Sequence, residues 1–521
     1  MKNKLTMTIL ATALAMASVI SCNTPELIPE VLVYDDFSII NQDTVITRIE
    51  ERFDEMKAQD PMMNLQLVVG DTIITYRKQV LPASPQRTPD LSQLKNHEDE
   101  ELKGKPLRMM TIGGSLTAGV RDGGYFNEGI ETAYPNLIAR QMGIEFNQPY
   151  FDDQDYNGVG RKVLTGFNPT GGPVPKFKTL KNNNGISKVR EYYSIKKSNV
   201  VDISNLAVPF TRNSVYDLNR VFMGVNRDLM YPTPYTDDSE LYVERMFELK
   251  ESTNEKVYNA KYDFYIIENG LNDVLNHVLT LGSNSRRRVS NPDAIKKDLS
   301  ELNIFKDKDY LKAISAWNYD ISNTYAFIID ASFKGSKGVI LNMPNVLEFP
   351  YFYSLPLEKA KAIFDIAQQS FELPSETRSS VDHLFPNSKI DSLLSPKVNV
   401  ALKPGINTHR PLSKFDFVSN SYTENFIKEH NEEKELLSEK FDIPVVDIYS
   451  LYEKILKGNY ITDDGVRVDP SYPKGNFFSN DGIFPTAFGQ AIIANEVIKV
   501  INKRYETSIE LINTRELLQK F

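Results

Sequence analysis

The sequence predicts an α/β protein built on a central parallel sheet. Short apolar runs of strand type recur at Leu107–Ile112, Val200–Leu206, Tyr262–Glu268, Lys337–Met343 and Ile443–Ile448. Stretches with helical spacing stand between or after them, for example Tyr134–Gln141, Ser421–Phe441 and Ala487–Tyr505. That alternation is the pattern of parallel strands with helices on both faces. Clusters of Gly, Ser, Asn and Asp also follow directly after several of the strands, where open parallel sheets place their sites.

Composition fits this reading. The chain has 521 residues, 41% apolar and 25% charged. This is the profile of a soluble globular protein with several domains, or one large domain carrying insertions. Lys and Arg number 60 against 69 Asp and Glu, a net charge of −9. A nucleic-acid partner would call for a basic face and is not expected. The single cysteine, Cys22, cannot form an internal disulfide, and the five histidines have no metal-ligand spacing. No metal or other cofactor is expected.

Residues 1–21 read as a secretory signal: Lys2 and Lys4 precede an apolar run from Leu5 to Ile20 that is too short to span a bilayer. Val19-Ile20-Ser21-Cys22 resembles the bacterial lipobox. That resemblance implies cleavage before Cys22 and its lipidation, with each buried methylene adding roughly 0.8 kcal/mol to the anchor. Residues 22–105 are expected to form a tether and a small N-terminal appendage. Residues 23–43 read as tether. Ile46, Ile49, Phe53 and Met56 have helical spacing, residues 64–80 read as a hairpin around Gly70-Asp71, and a Pro-rich linker follows to about 105. The main domain is expected over 106–515, with insertions near 275–310 and 345–415.

The chemistry-bearing blocks lie in that domain. The first strand runs into Gly113-Gly114-Ser115-Leu116-Thr117-Ala118-Gly119. A serine on a glycine-rich strand-to-helix turn can present its hydroxyl and backbone N–H together, as a nucleophile with part of an oxyanion hole does. Asn205 to Thr211 follow the second strand, and Glu268-Asn269-Gly270-Leu271-Asn272-Asp273 ends the third. A side-chain amide there can donate to an oxyanion, and Asp273 can cap the next helix. Near the C-terminus a loop with Asp481 leads into a long helix.

This order and spacing resembles the SGNH, or GDSL-type, hydrolase family, through four blocks spread over residues 107–510. The text from Gly123 to Gly143 also looks like a lipid-anchored branch. The resemblance implies a flavodoxin-like α/β/α sandwich and ester-hydrolase chemistry. Histidine deprotonates the serine, an Asp three residues earlier orients the histidine, and the Ser N–H, a Gly N–H and an Asn side chain hold the oxyanion. Carried over, Ser115 is the nucleophile position, Asn272 the Asn donor and Asp481 the orienting Asp. The histidine position is Phe484, the second-block glycine is Phe210, and the residue before the serine, usually Asp or Asn, is Gly114. Phenylalanine cannot accept a proton, so Phe484 removes the base. His277, His383, His409, His97 and His430 are the other histidines. His383 and His409, in an insertion that could fold over the site, are the candidate substitutes.

Two readings follow. In the favoured one, the chain is a lapsed hydrolase that binds a glycan, peptide or acyl ester in a cleft made apolar by Phe210 and Phe484 next to Ser115, with Phe210, Phe484 and Gly114 the candidate ligand contacts. It is then a non-catalytic accessory subunit at the outer membrane, on the periplasmic or the cell-surface side, and its resemblance to lipid-anchored members implies a starch-utilisation-type importer as partner. The alternative is a serine esterase, lipase or carbohydrate acetylesterase with an atypical base.

Overall fold

The structure, a computed structural model, describes residues 30–34, 65–69, 72–76, 81–152, 155, 158–168, 174–179, 185–189, 192–196, 198, 200, 202–209, 242, 245, 260–272, 274–275, 334–353, 420–472 and 475–518. The chain divides into two units, Met1–Lys78 with Gln519–Phe521, and Gln79–Leu518.

In the smaller unit, β1 (Glu30–Tyr34) pairs in parallel with β2 (Leu65–Val69), and β2 pairs antiparallel with β3 (Thr72–Tyr76). Val69 is opposite Thr72, so the two short strands expected on either side of Gly70-Asp71 pair antiparallel. β1 lies in the stretch read as tether, which therefore contains a strand. The helical pattern at 44–59 and the signal segment with Cys22 lie outside the described residues.

The larger unit is organised by parallel strands. β4 (Met109–Ile112) takes the first apolar run. Two antiparallel pairs follow, β5 (Lys162–Asn168) with β6 (Val174–Thr179) and β7 (Ile186–Val189) with β8 (Tyr192–Ile195). The sheet resumes with β9 (Phe264–Glu268), β10 (Lys337–Leu341) and β11 (Val445–Val446), in the order β11-β10-β9-β4, all parallel. The segment around Asn205 extends the sheet beyond β4. Thr111 N–H donates to Ser204 O at 3.0 Å, Leu206 N–H to Thr111 O at 2.9 Å and Val208 N–H to Gly113 O at 3.0 Å. In chain order the parallel segments therefore lie second, first, third, fourth, fifth across the sheet. Every residue of β4 and β9 is buried, so both faces of the sheet are covered.

The α-helices whose bounds are described are α1 (Ser115–Ala118), α2 (Asn127–Glu131), α3 (Tyr134–Met142), α4 (Pro350–Tyr353), α5 (Asn420–Phe441), α6 (Ile448–Leu456) and α7 (Ala487–Tyr505). Their ends follow local chemistry. α3 has a proline in its first turn and stops at Gly143 in the left-handed conformation. Asp447 caps α6 and Thr486 caps α7, each side chain accepting a backbone N–H from the first turn. α7 packs against α3, β10 and β11. None of the described helices is long and apolar enough to cross a membrane.

Residues 81–105, read as linker, run along this larger unit. The Asp263 carboxylate, wholly buried just before β9, accepts the N–H groups of Asn96 at 2.9 Å and Arg108 at 2.8 Å. Most of both expected insertions, 276–333 and 354–419, lies outside the described residues.

Candidate functional site

The strand order reverses between β4 and β9, and open sheets form a crevice at the carboxyl ends where this happens. Ser115 follows β4 there, and Asn272 follows β9. The structure joins them directly: Ser115 N–H donates to Asn272 Oδ1 at 3.1 Å. Both are buried, Ser115 at 1% exposure and Asn272 at 7%. Asn272 Nδ2 is buried and has no hydrogen-bond partner among the described residues. One expected oxyanion donor, the Ser115 N–H, is thus turned to the side chain of another, whose amide nitrogen keeps donor capacity.

Gly114 makes this pairing possible. A Cβ at position 114 would lie 2.5 Å from Asn272 Cγ, so no larger residue fits while Asn272 holds this position. The glycine at position 114 is therefore matched to the orientation of Asn272.

Beneath the turn is a buried carboxylate to which the sequence reading gave no role. Glu268, the last residue of β9, accepts Gly114 N–H at 3.0 Å and the Thr117 hydroxyl at 3.1 Å, both on Oε2. Thr117 Oγ1 also meets the Tyr134 hydroxyl at 2.9 Å. Burial raises the Glu268 pKa, and the Gly114 N–H and the nearby Lys434 ammonium oppose that rise. Lys434 itself is buried on α5 and donates to Asn269 O at 2.8 Å. A glutamate ending an otherwise apolar strand was the signal available in the sequence.

The fourth block forms a tight loop around Asp481. Its Oδ1 accepts the N–H groups of Ile483 and Phe484, each at 2.8 Å, and its Oδ2 accepts Gly123 N–H at 2.9 Å. Asp122 adds to this junction: its N–H donates to Ser479 Oγ at 2.9 Å, and its carboxylate accepts Asn480 N–H at 2.9 Å. The loop is thereby tied to the turn that follows α1, and Gln490 on α7 donates to Leu116 O at 3.2 Å. These bonds bring the first and last blocks together.

The chemistry of Asp481 is that of a loop organiser. Burial pushes its pKa up to about 6, against the three N–H bonds that favour the charged form. Phe484 is 7% exposed and belongs to the hydrophobic core. Its N–H is bonded to Asp481 and its carbonyl accepts Ser479 N–H at 2.8 Å.

Phe210, Asp273, His277, His383 and His409 lie outside the described residues. His97 is exposed. His430, on α5, is half-buried, 4.2 Å from the Phe426 ring centre, with Nδ1 3.6 Å from Glu433 Oε2. No group of three or more His, Cys, Asp or Glu among the described residues is arranged to hold a metal.

No family model, curated sequence or solved structure matches the chain.

Proposed function

We propose that this chain is a lipid-anchored bacterial protein whose larger unit is an SGNH-hydrolase-like, flavodoxin-type sandwich that has lost ester hydrolysis and binds a ligand instead. The observation that carries the reading is the Asp481 loop. An apolar, buried Phe484 occupies the base position, and the carboxylate that should orient a histidine is bonded to three backbone N–H groups. The strand order supports the fold, since second-first-third-fourth-fifth is the flavodoxin-type winding. The ligand is a glycan, peptide or acyl ester. The wider role, an accessory subunit of an outer-membrane nutrient importer anchored through Cys22, rests on analogy with lipid-anchored proteins of this kind.

Labelling with a fluorophosphonate tests the loss of serine chemistry, because the reagent reacts only with an activated serine. The expected result is no label above that of Ser115→Ala. A second reading, a serine esterase with an atypical base, draws on the Asp481 pKa of about 6, which is nearer to neutral than an ordinary carboxylate and better suited to proton abstraction. That reading requires labelling of wild type that disappears in both Ser115→Ala and Asp481→Asn. Co-purification of the native lipoprotein tests the complex: a homogeneous monomer counts against it.

A further inference from the structure

A cavity of about 500 Å³ opens at the amino ends of the strands, on the edge of the sheet opposite Ser115. Lys337 begins β10, so five residues of strand, about 16 Å at 3.3 Å per residue, separate the two edges. The walls include Tyr505 and Phe441, from the last residues of α7 and α5, with Asp442, Glu506, Arg504 and Lys337 around them.

Three features mark this cavity as built for a ligand. Tyr505 is a fixed aromatic wall. Its hydroxyl donates to Gly338 O at 2.8 Å, and its ring packs edge-on against Phe264 with centres 5.8 Å apart. Lys337 is a half-buried cation whose ammonium donates to the Gln93 carbonyl and has no carboxylate partner among the described residues. Burial, and then the neighbouring Arg504, lower its pKa, and no carboxylate is among the groups that act on it. Arg504 is already paired with Asp442.

The third feature is backbone strain with the wrong charge. α5 and α7 both end in a left-handed residue lining the cavity, Asp442 at φ 55° and Glu506 at φ 54°. Glycine is the usual choice there, and a negative charge at a helix C-terminus opposes the helix dipole. Strain kept at two converging positions points from geometry to function. The Glu506 carboxylate has no hydrogen-bond partner among the described residues and is available to a ligand hydroxyl.

We propose that this cavity binds a small hydroxylated carboxylate, of which a uronic acid is the type: Lys337 receives its carboxylate, the Tyr505 and Phe441 rings its C–H face, and Glu506 a hydroxyl. The site is separate from the Ser115 crevice and stands whether or not that crevice is catalytic.

The test uses the full chain and two probes, D-glucuronate and D-glucose, followed by calorimetry and ligand-observed NMR. Glucuronate is expected to bind saturably at millimolar concentration, with glucose at least about tenfold weaker. Lys337→Gln is expected to cost glucuronate about 10- to 100-fold in affinity, the scale of a lost charged hydrogen bond. Lys337→Arg retains most of it, and a thermal melt of each variant confirms the fold. Absence of saturable glucuronate binding, equal binding of glucose, or unchanged affinity in a folded Lys337→Gln overturns the proposal.

Discussion

Replacing Asp481 with asparagine gives a stability effect whose size and sign follow from the site. The carboxyl has a pKa of about 6 in the folded chain against 3.8 for a free side chain, a rise of about 2 units. At about 1.4 kcal/mol per unit this corresponds to about 3 kcal/mol. Because the folded-state pKa is raised, the folded protein holds the proton over a range in which the unfolded chain has released it. Stability from this group is therefore present in full below pH 3.8 and declines as pH rises through 6, levelling off above. Asparagine keeps an acceptor for the Ile483 and Phe484 N–H groups and does not titrate. It also turns an NH₂ toward Gly123 N–H, a pH-independent cost of about 1–3 kcal/mol. Urea unfolding of both proteins by circular dichroism at a series of pH values isolates the group, since all other titrations cancel in the difference. Relative to the variant, wild type should lose about 2 kcal/mol between pH 4 and pH 7, the rest of the effect lying below pH 4. That is a large share of a typical domain's 5–15 kcal/mol. A gap that stays constant with pH, or one that widens in wild type's favour, would refute the assignment of Asp481 as a buried carboxyl of raised pKa.

Other substitutions test neighbouring parts of the account. Phe484→His should restore measurable ester hydrolysis, because Asp481 Oδ2 accepts a single N–H and retains a lone pair for an imidazole. The gain should stop at least about 10²-fold short of a full site, since the Ser115 N–H is committed to Asn272; initial rates on a short-chain nitrophenyl ester measure this. Gly114→Ala places a methyl 2.5 Å from Asn272 Cγ and should destabilise the larger unit by about 1–3 kcal/mol in a denaturant titration. Cys22→Ser should abolish incorporation of labelled palmitate and move the protein from the membrane fraction to the soluble one.

Much of the sheet was legible because it is made of unbroken apolar runs. β4, β9 and β10 coincide with those runs, and α7 matches its sequence pattern residue for residue, from Ala487 to Tyr505. The strands missed lack that signal. β1 is five residues long, close after Pro25 and Pro29, and it is paired with a strand more than 30 residues away. β5 to β8 lie in text rich in Lys and Asn, where polar residues dilute the alternation. The site was legible as positions but not as bonds. Ser115 and Asn272 were both singled out, yet the hydrogen bond between them spans 157 positions. Asp481 was singled out by its place three residues before Phe484, whereas its bond to Gly123, 358 positions away, is made only by the fold. Glu268 reads locally as the polar end of a strand, and its role under Gly114 depends on which strand lies beside β9.

Ester hydrolysis by wild type beside Ser115→Ala, on short-chain nitrophenyl esters at pH 7 to 8, tests the central claim most directly. On the proposed reading, with buried Phe484 at the base position and the Ser115 N–H bonded to Asn272, the two proteins are indistinguishable from background. Turnover in wild type that Ser115→Ala abolishes would contradict the account and make the larger unit a working hydrolase.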